Sequence, residues 1–468
     1  MNKKHVLVSI LTIGSLIPLL FFRSVGFATS IFWVYSITMT TWMLTMHITT
    51  RTYKPMPDVG HRPSVAVVVP AKNEEEHIVE TVNAILNSDY PQDKLEIVVV
   101  DDGSTDRTAE HVLSIKSRRV KLLSLDRNYG KRVAFASGVE KTTSKIIVCI
   151  DSDTIVDINA IKMLVQPFSK RNIVAVCGHG KAKNYSKNLL TKLQHWWYQD
   201  MFRLIKGMES RFGAVTCCSG ILAAYRRESI MPLLDTWLNE RFLGRKILIG
   251  DDRQLTNLVL WKGLLILLRS TAEDRILTSV AYSVKNAEVV YQSNSLAYTY
   301  VPETSKQFFR QQLRWKRAWV HGSILASQFM WRKKFPVPLL FYMYQFLTYI
   351  SPIVIVTWLI VKPLSGDLFG SFLFLIGTLY IGILQGLNVW VFMDSPFAPT
   401  VFYRTIFVFM SFFLSLTILL YAWSTPWKGG WVTREDTRKS LLPSSIVKLT
   451  PEHSQRPSSS ARTVTTRL

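Results

Sequence analysis

Pairs of carboxylates recur along this chain, and their spacing limits the chemistry open to it: Asp101-Asp102, Asp151-Ser152-Asp153 and Asp251-Asp252. Side chains alternate along an extended backbone, so Asp151 and Asp153 can point the same way. Two acidic oxygens so arranged suit a hard divalent cation that holds a diphosphate. A carboxylate kept off the cation can take the proton from an attacking hydroxyl. Another can accept from a uracil or ribose. Lys131 and Arg314 can add charge to a leaving diphosphate, and Trp315 offers a flat apolar face to a sugar ring. Alone, Asp-x-Asp is more often a solvated turn, and Trp315 more often an interfacial anchor. The order of the acidic pairs, with Gln311 three residues before Arg314, points instead to a nucleotide-sugar site.

These groups need a scaffold that brings several segment ends to one rim. Val65–Val69, Leu95–Val100, Val120–Leu125, Ile146–Ile150 and Ile173–Val176 are short apolar runs that predict buried strands. Helical stretches separate them, opening at Asn73-Glu74-Glu75-Glu76, near Ser104-Thr105, at Gly130-Lys131-Arg132 and at Asp157. Strands alternating with helices predict an α/β domain with a mostly parallel sheet. Ligands of such sheets bind beyond the carboxyl ends of the strands, where Asp101 and Asp151 fall. Residues 185–212 predict a long aromatic helix. Residues 303–334 mix Phe308, Phe309, Leu313, Trp315 and Trp319 with Arg310, Arg314, Lys316 and Arg317, as an interfacial helix does. No Gly-x-Gly-x-x-Gly or P-loop pattern is present, which removes the signal for dinucleotide redox or P-loop chemistry.

The chain has 468 residues, 48% of them hydrophobic, and a formal charge of +23. Apolar runs at 4–22, 25–48, 336–361, 368–393 and 401–423 assign that charge to a membrane face rather than to nucleic acid. Lys3, Lys4, Arg51, Lys54 and Arg62 would share the inner side of an N-terminal hairpin. Arg332-Lys333-Lys334 reads as a cluster at anionic headgroups. Cys149, Cys177, Cys217 and Cys218 show no metal-ligand spacing and read as reduced residues of a cytosolic domain. His179 and His195 read as structural. The domains expected are a transmembrane hairpin at 1–50, a cytosolic domain at 51–300 and interface helices at 301–335. Apolar and re-entrant segments follow at 336–424, with a basic, disordered tail at 425–468.

Val100-Asp101-Asp102-Gly103-Ser104, Asp151-Ser152-Asp153, Gly250-Asp251-Asp252 and Gln311-Gln312-Leu313-Arg314-Trp315 resemble, in order, the motifs of processive family-2 glycosyltransferases. With Gly130-Lys131-Arg132, Cys217-Cys218-Ser219-Gly220, Gly250 to Asn257 and Gly430 to Arg434, the likeness extends to hyaluronan synthases of the shorter bacterial type. The resemblance implies a GT-A-type catalytic domain inserted between transmembrane helices. It implies Asp101 and Asp102 at the uridine, with Mg or Mn on Asp151 and Asp153. Asp252 would be the general base, with Asp251 the lesser choice. Lys131 and Arg314 would meet the diphosphate. Trp315, Gln311, Cys217 and Ser219 would meet the acceptor, and Trp431, Thr433 and Arg434 would close over the nucleotide. The implied reaction is inverting polymerisation of UDP-GlcNAc and UDP-GlcA into hyaluronan. It would be delivered across the plasma membrane by a multi-pass protein whose catalytic domain is cytosolic and needs no protein partner.

Two positions depart from the family pattern: Val432 replaces a glycine of the last motif, and Ile221 a proline beside the acceptor wall. A β-branched Val432 does not readily take φ > 0. The alternatives are a chitin, chitooligosaccharide or other single-sugar synthase, and a non-catalytic export channel. If 336–361 leaves the cytosol and 368–393 returns, a third crossing would carry Arg434 outside, away from a cytosolic nucleotide. Residues 401–423 are therefore expected to be re-entrant or interfacial.

Overall fold

The computed structural model describes residues 3–14, 27–242, 244–247, 249–268, 287–392 and 396–426. The first four expected strands form as β1 (Val65–Ala71), β2 (Leu95–Asp101), β3 (Val120–Ser124) and β4 (Ile146–Cys149). They are followed by β5 (Thr154–Val156), β6 (Ile173–Ala182), β7 (Ala223–Arg226), a hairpin of β8 (Arg241–Phe242) and β9 (Arg245–Lys246), and β10 (Glu288–Thr299). One sheet has the order β3-β2-β1-β4-β7-β6-β10-β5. Its first half is parallel: Val67 of β1 aligns with Ile97 of β2 on one side and Val148 of β4 on the other. Val65 to Val69 are fully buried, which is why this strand shows no polar alternation. In the second half β7 is antiparallel to both β4 and β6, and β10 runs parallel to β6 and antiparallel to β5.

The helix Lys131–Glu140 packs on the parallel half so closely that a Cβ on Gly138 would come within 2.4 Å of Val68. The expected long helix is Leu189–Gln199, a π-helical stretch Asp200–Lys206, and Gly207–Arg211. The aromatic and basic segment is one helix, Ser305–Met330, capped by Thr304.

Among the described residues, Val337–Leu364, Leu368–Val391 and Phe397–Ser424 are helices long and apolar enough to cross a membrane. The N-terminal helix Phe27–Thr52 has the length but is rich in threonine. Its Trp42 and Met46 pack with Leu340, Leu347 and Val389. Of the first apolar run, helix Lys3–Gly14 is described, and residues 15–26 lie outside the described residues. The expected re-entrant segment takes the form of one continuous helix. Glycines on Leu368–Val391 allow its close approach: a Cβ on Gly386 would stand 2.6 Å from the Val401 backbone.

Candidate active site

The parallel half of the sheet carries its carboxylates to one rim. β1 and β2 end in register, Ala71 opposite Asp101, and the Asp102 amide donates to the Ala71 carbonyl at 2.9 Å. Asp101 accepts from the Ser104 amide at 3.0 Å, which turns the chain at Gly103. Gly103 has φ +66°, and a Cβ there would lie 2.6 Å from the Arg127 backbone. The two oxygens of Asp102 accept from the amides of Tyr129 (2.7 Å) and Gly130 (2.8 Å). Burial pushes the Asp102 carboxyl up to about 6 against the pull of those amides. Asp102 therefore fixes the loop that starts the helix bearing Lys131, while Asp101 shapes the turn beside it.

β4 leads directly into Asp151. Its amide donates to the Gly220 carbonyl at 3.1 Å, and its carboxylate pairs with the Lys131 ammonium. Gly220 makes this possible, since a Cβ there would stand 2.9 Å from Lys131 Nζ and 3.0 Å from Asp151 Oδ1. Asp153 accepts long hydroxyl contacts from Thr154 and Thr299, at 3.5 Å each. Burial raises its pKa, Asp151 adds to the rise and Lys131 opposes it. Two crowded carboxylates, one of them poorly satisfied, fit a hard divalent cation. Among the described residues no group of three or more His, Cys, Asp or Glu could hold a metal unaided. Diphosphate or water oxygens would have to complete the coordination.

Asp251 and Asp252, at the start of the helix Asp251–Leu268, face different partners. Asp251 accepts from Arg132 Nε at 2.7 Å. That buried guanidinium also bonds Glu240 at 3.1 Å and the carbonyls of Trp237 and Ile249 at 2.9 Å. Asp251 is thus part of a structural ion-pair network. Asp252 instead accepts from the Gly220 amide at 3.3 Å and from the Cys217 thiol at 3.6 Å. Burial, reinforced by Asp252, pushes that thiol up to about 12, so at neutral pH it is a donor. Ser219 closes the turn, its carbonyl accepting from the Leu222 amide at 3.1 Å.

The interface helix Ser305–Met330 lies against this corner. Gly250 (φ +70°) would bring a Cβ within 2.7 Å of Ala318, and Asn257 donates to the Gly322 carbonyl at 3.1 Å. One turn earlier, Trp315 packs on Trp197 and Tyr198 at 5.6 and 6.3 Å between ring centroids. Gln311 Oε1 is buried with no partner among the described residues. Burial raises the Tyr198 hydroxyl, Asp153 and Asp151 raise it further, and Arg314 lowers it, so this ring sits among all three charges. Tyr198 is a site residue that motif reasoning missed. Its only signal was membership of the aromatic run Trp196-Trp197-Tyr198. Trp431, Thr433 and Arg434 lie outside the described residues. The structure thus gathers Asp101, Asp102, Lys131, Asp151, Asp153, Cys217, Ser219, Asp251 and Asp252 at adjoining segment ends, with the Gln311–Trp315 helix packed beside them.

Residues 66–234 match the model of Glycosyl transferase family 2. The hyaluronan synthase of Streptococcus pyogenes is 32% identical over 308 residues, covering 64% of this chain and 67% of the synthase. An N-acetylglucosaminyltransferase of Azorhizobium caulinodans is 34% identical over 271 residues, 56% of this chain and 62% of the relative. Among solved structures, the mannosyltransferase of Pyrobaculum calidifontis in complex with GDP-Man and Mn2+ superposes with a TM-score of 0.56. That match covers 82% of this chain and 98% of the other at 18% identity, a likeness of fold. With the strand-end carboxylates of a GT-A fold and apolar helices at its C-terminal side, the chain belongs to the family-2 glycosyltransferases.

Proposed function

We propose that this glycosyltransferase is a membrane-embedded, inverting, processive polysaccharide synthase that alternates UDP-GlcNAc and UDP-GlcA to form hyaluronan. The observation that carries the reading is the division of labour between the adjacent carboxylates. Asp251 is consumed by Arg132, and Asp252 is held toward Gly220 and Cys217. In this reading Asp252 takes the proton of the acceptor hydroxyl as that oxygen bonds to the anomeric carbon. The bond to the diphosphate breaks on the opposite face, which inverts the centre. Lys131 and Arg314 meet the charge that develops on the leaving UDP. Asp151 and Asp153 would hold a divalent cation, Mg or Mn, which supplies Lewis-acid stabilisation to the diphosphate when bound. Trp315 would stack on the acceptor sugar, and the Cys217 thiol would donate near its hydroxyl.

The catalytic domain is taken to be cytosolic, at the plasma membrane. The packing of the last apolar helix supports a final segment that returns to the catalytic side. Its Leu414 and Ile418 lie on Phe308, Leu419 on Trp319, and Thr425 accepts from Arg317 at 2.9 and 3.1 Å. Likeness to N-acetylglucosaminyltransferases favours a single-sugar synthase as the second reading. Purified protein supplied with each UDP-sugar alone and then with both separates the two. Hyaluronan synthesis requires the pair, and polymer from UDP-GlcNAc alone would overturn the two-sugar assignment.

A further inference from the structure

Three consecutive aromatic residues of the helix Leu189–Gln199 turn to three different places. Trp196 joins Trp42, Leu340 and Leu347 of the apolar helices. Tyr198 sits among the charges of the site. Trp197 lies between two rings from remote parts of the chain. It stands 5.6 Å from Trp315, with 40° between the planes, and stacks on Phe407 at 5.2 Å and 12°. Phe407 is 3% exposed and belongs to the last apolar helix, Phe397–Ser424. The ring assigned to the acceptor sugar thus rests on a ring that itself rests on a membrane helix.

A second contact of the same two helices fixes the register of the first. Asp200 follows Trp197 by three residues and Arg404 precedes Phe407 by three, so each pair shares one face of its helix. The Arg404 guanidinium donates to Asp200 at 2.6 Å and stands 5.5 Å from the Phe407 ring centroid. A slip of one residue turns a helix by about 100° and would break the ion pair and the stack together. Trp315 is partly exposed, as a platform for a sugar must be. Protein cannot enclose it on the open side, so its angle is left to the rings behind it. Near-parallel rings transmit a tilt, whereas a leucine of similar volume presents no plane.

We propose that Phe407, acting through Trp197, is a positioning residue for Trp315, so that the last apolar helix sets the angle at which the acceptor sugar is held for attack. The inference rests on the processive-synthase reading and deepens it. Donor binding at the sheet rim is untouched by the stack, and retention of the acceptor end depends on it. The test uses full-length protein in neutral-lipid nanodiscs supplied with UDP-GlcNAc and UDP-GlcA. Product length, the KM for each UDP-sugar and the unfolding temperature are measured. Phe407→Leu and Trp197→Leu should each shorten the product about three- to tenfold and leave each KM within about twofold. The double variant should be no worse than either single one, because both remove the same link. Phe407→Tyr and Trp197→Phe, which keep a ring, should restore most of the length. Val408→Ala, on the same helix but outside the stack, should lower the unfolding temperature without shortening the product. Shortening by Val408→Ala equal to that by Phe407→Leu overturns the proposal, as do independent effects that multiply in the double variant. So does a folded Trp197→Leu protein that makes product of wild-type length, whether or not Phe407→Leu folds. No polymer from wild type with either UDP-sugar or both would refute the polymerase reading itself, and the inference with it.

Discussion

Replacing Gly220 with alanine separates chemistry from stability at the centre of the site. Gly220 does not have positive φ, so the backbone accepts a side chain there. The added Cβ would stand 2.9 Å from Lys131 Nζ and 3.0 and 3.4 Å from the Asp151 oxygens. Ordinary contact requires about 3.5 Å or more, so the ion pair must give by about half an ångström to 1 Å. Both groups are side-chain ends, so the fold loses on the order of 1 kcal/mol or less. A displacement near 1 Å in a catalytic constellation costs roughly 100-fold in rate, about 2.7 kcal/mol. Gly138→Ala is the contrasting control, because its Cβ would meet Val68 at 2.4 Å and Val100 at 3.0 Å within the core. It should cost about 1–3 kcal/mol of stability. UDP release at saturating UDP-sugars and thermal unfolding of the same purified samples give the two readouts. A Gly220→Ala protein that turns over within about threefold of wild type would show that the Lys131–Asp151 pair does not set the rate, and one that unfolds as early as Gly138→Ala would show that the pair cannot give way without loss of the fold.

Asp252→Asn should lower UDP release by roughly 100- to 10,000-fold with an unchanged unfolding temperature, whereas Asp251→Asn should lower stability because Arg132 loses a buried partner. Burial holds the Asp102 carboxyl near 6, against 3.8 for the free group. The folded protein therefore binds this proton more tightly than the unfolded chain. The resulting stability is fully present below about pH 4 and is lost as pH rises through about 6. Asp102→Asn should flatten that part of a pH-dependent denaturation profile. Arg404 donates to Asp200 and to Gln385 at 2.6 Å each, with both ions of the pair buried. Arg404→Met should cost about 3–5 kcal/mol, and Asp200→Leu with Arg404→Met should recover most of it. Thermal unfolding of the single and double variants distinguishes a broken ion pair from lost packing.

The parallel half of the sheet was legible because its central strands β1, β2 and β4 are runs of apolar residues, two of which lead into carboxylates, Asp101 and Asp151, and local composition shows both facts. β7 was not, because four residues, Ala223-Ala224-Tyr225-Arg226, carry too little pattern. β10 was hidden by its polar interior. Gln292, Ser293 and Ser295 are buried, and Gln292 is satisfied by the backbone of Met56, a partner remote in sequence. The same distinction runs through the site. Asp-x-Asp and Gln-x-x-Arg-Trp announce themselves by spacing. The fate of Asp251 depends on Arg132, 119 residues away, and the place of Tyr198 among Asp151, Asp153 and Arg314 depends on how a helix lies against the sheet. His179, read as structural, bonds Tyr291 and Gln199 at 2.5 and 3.1 Å.

The pairing of Asp200 with Arg404 spans 204 residues and has a consequence for biosynthesis. Asp200 leaves the ribosome with the catalytic domain, long before the helix that carries its cation. Until Phe397–Ser424 is inserted, the aspartate must stay hydrated or protonated, so the first apolar helices cannot close around it. Final compaction of the early domain thus waits on the late helix. A chain stopped before residue 397 would lack the cation for Asp200, and its early helices would stay open around a hydrated acid.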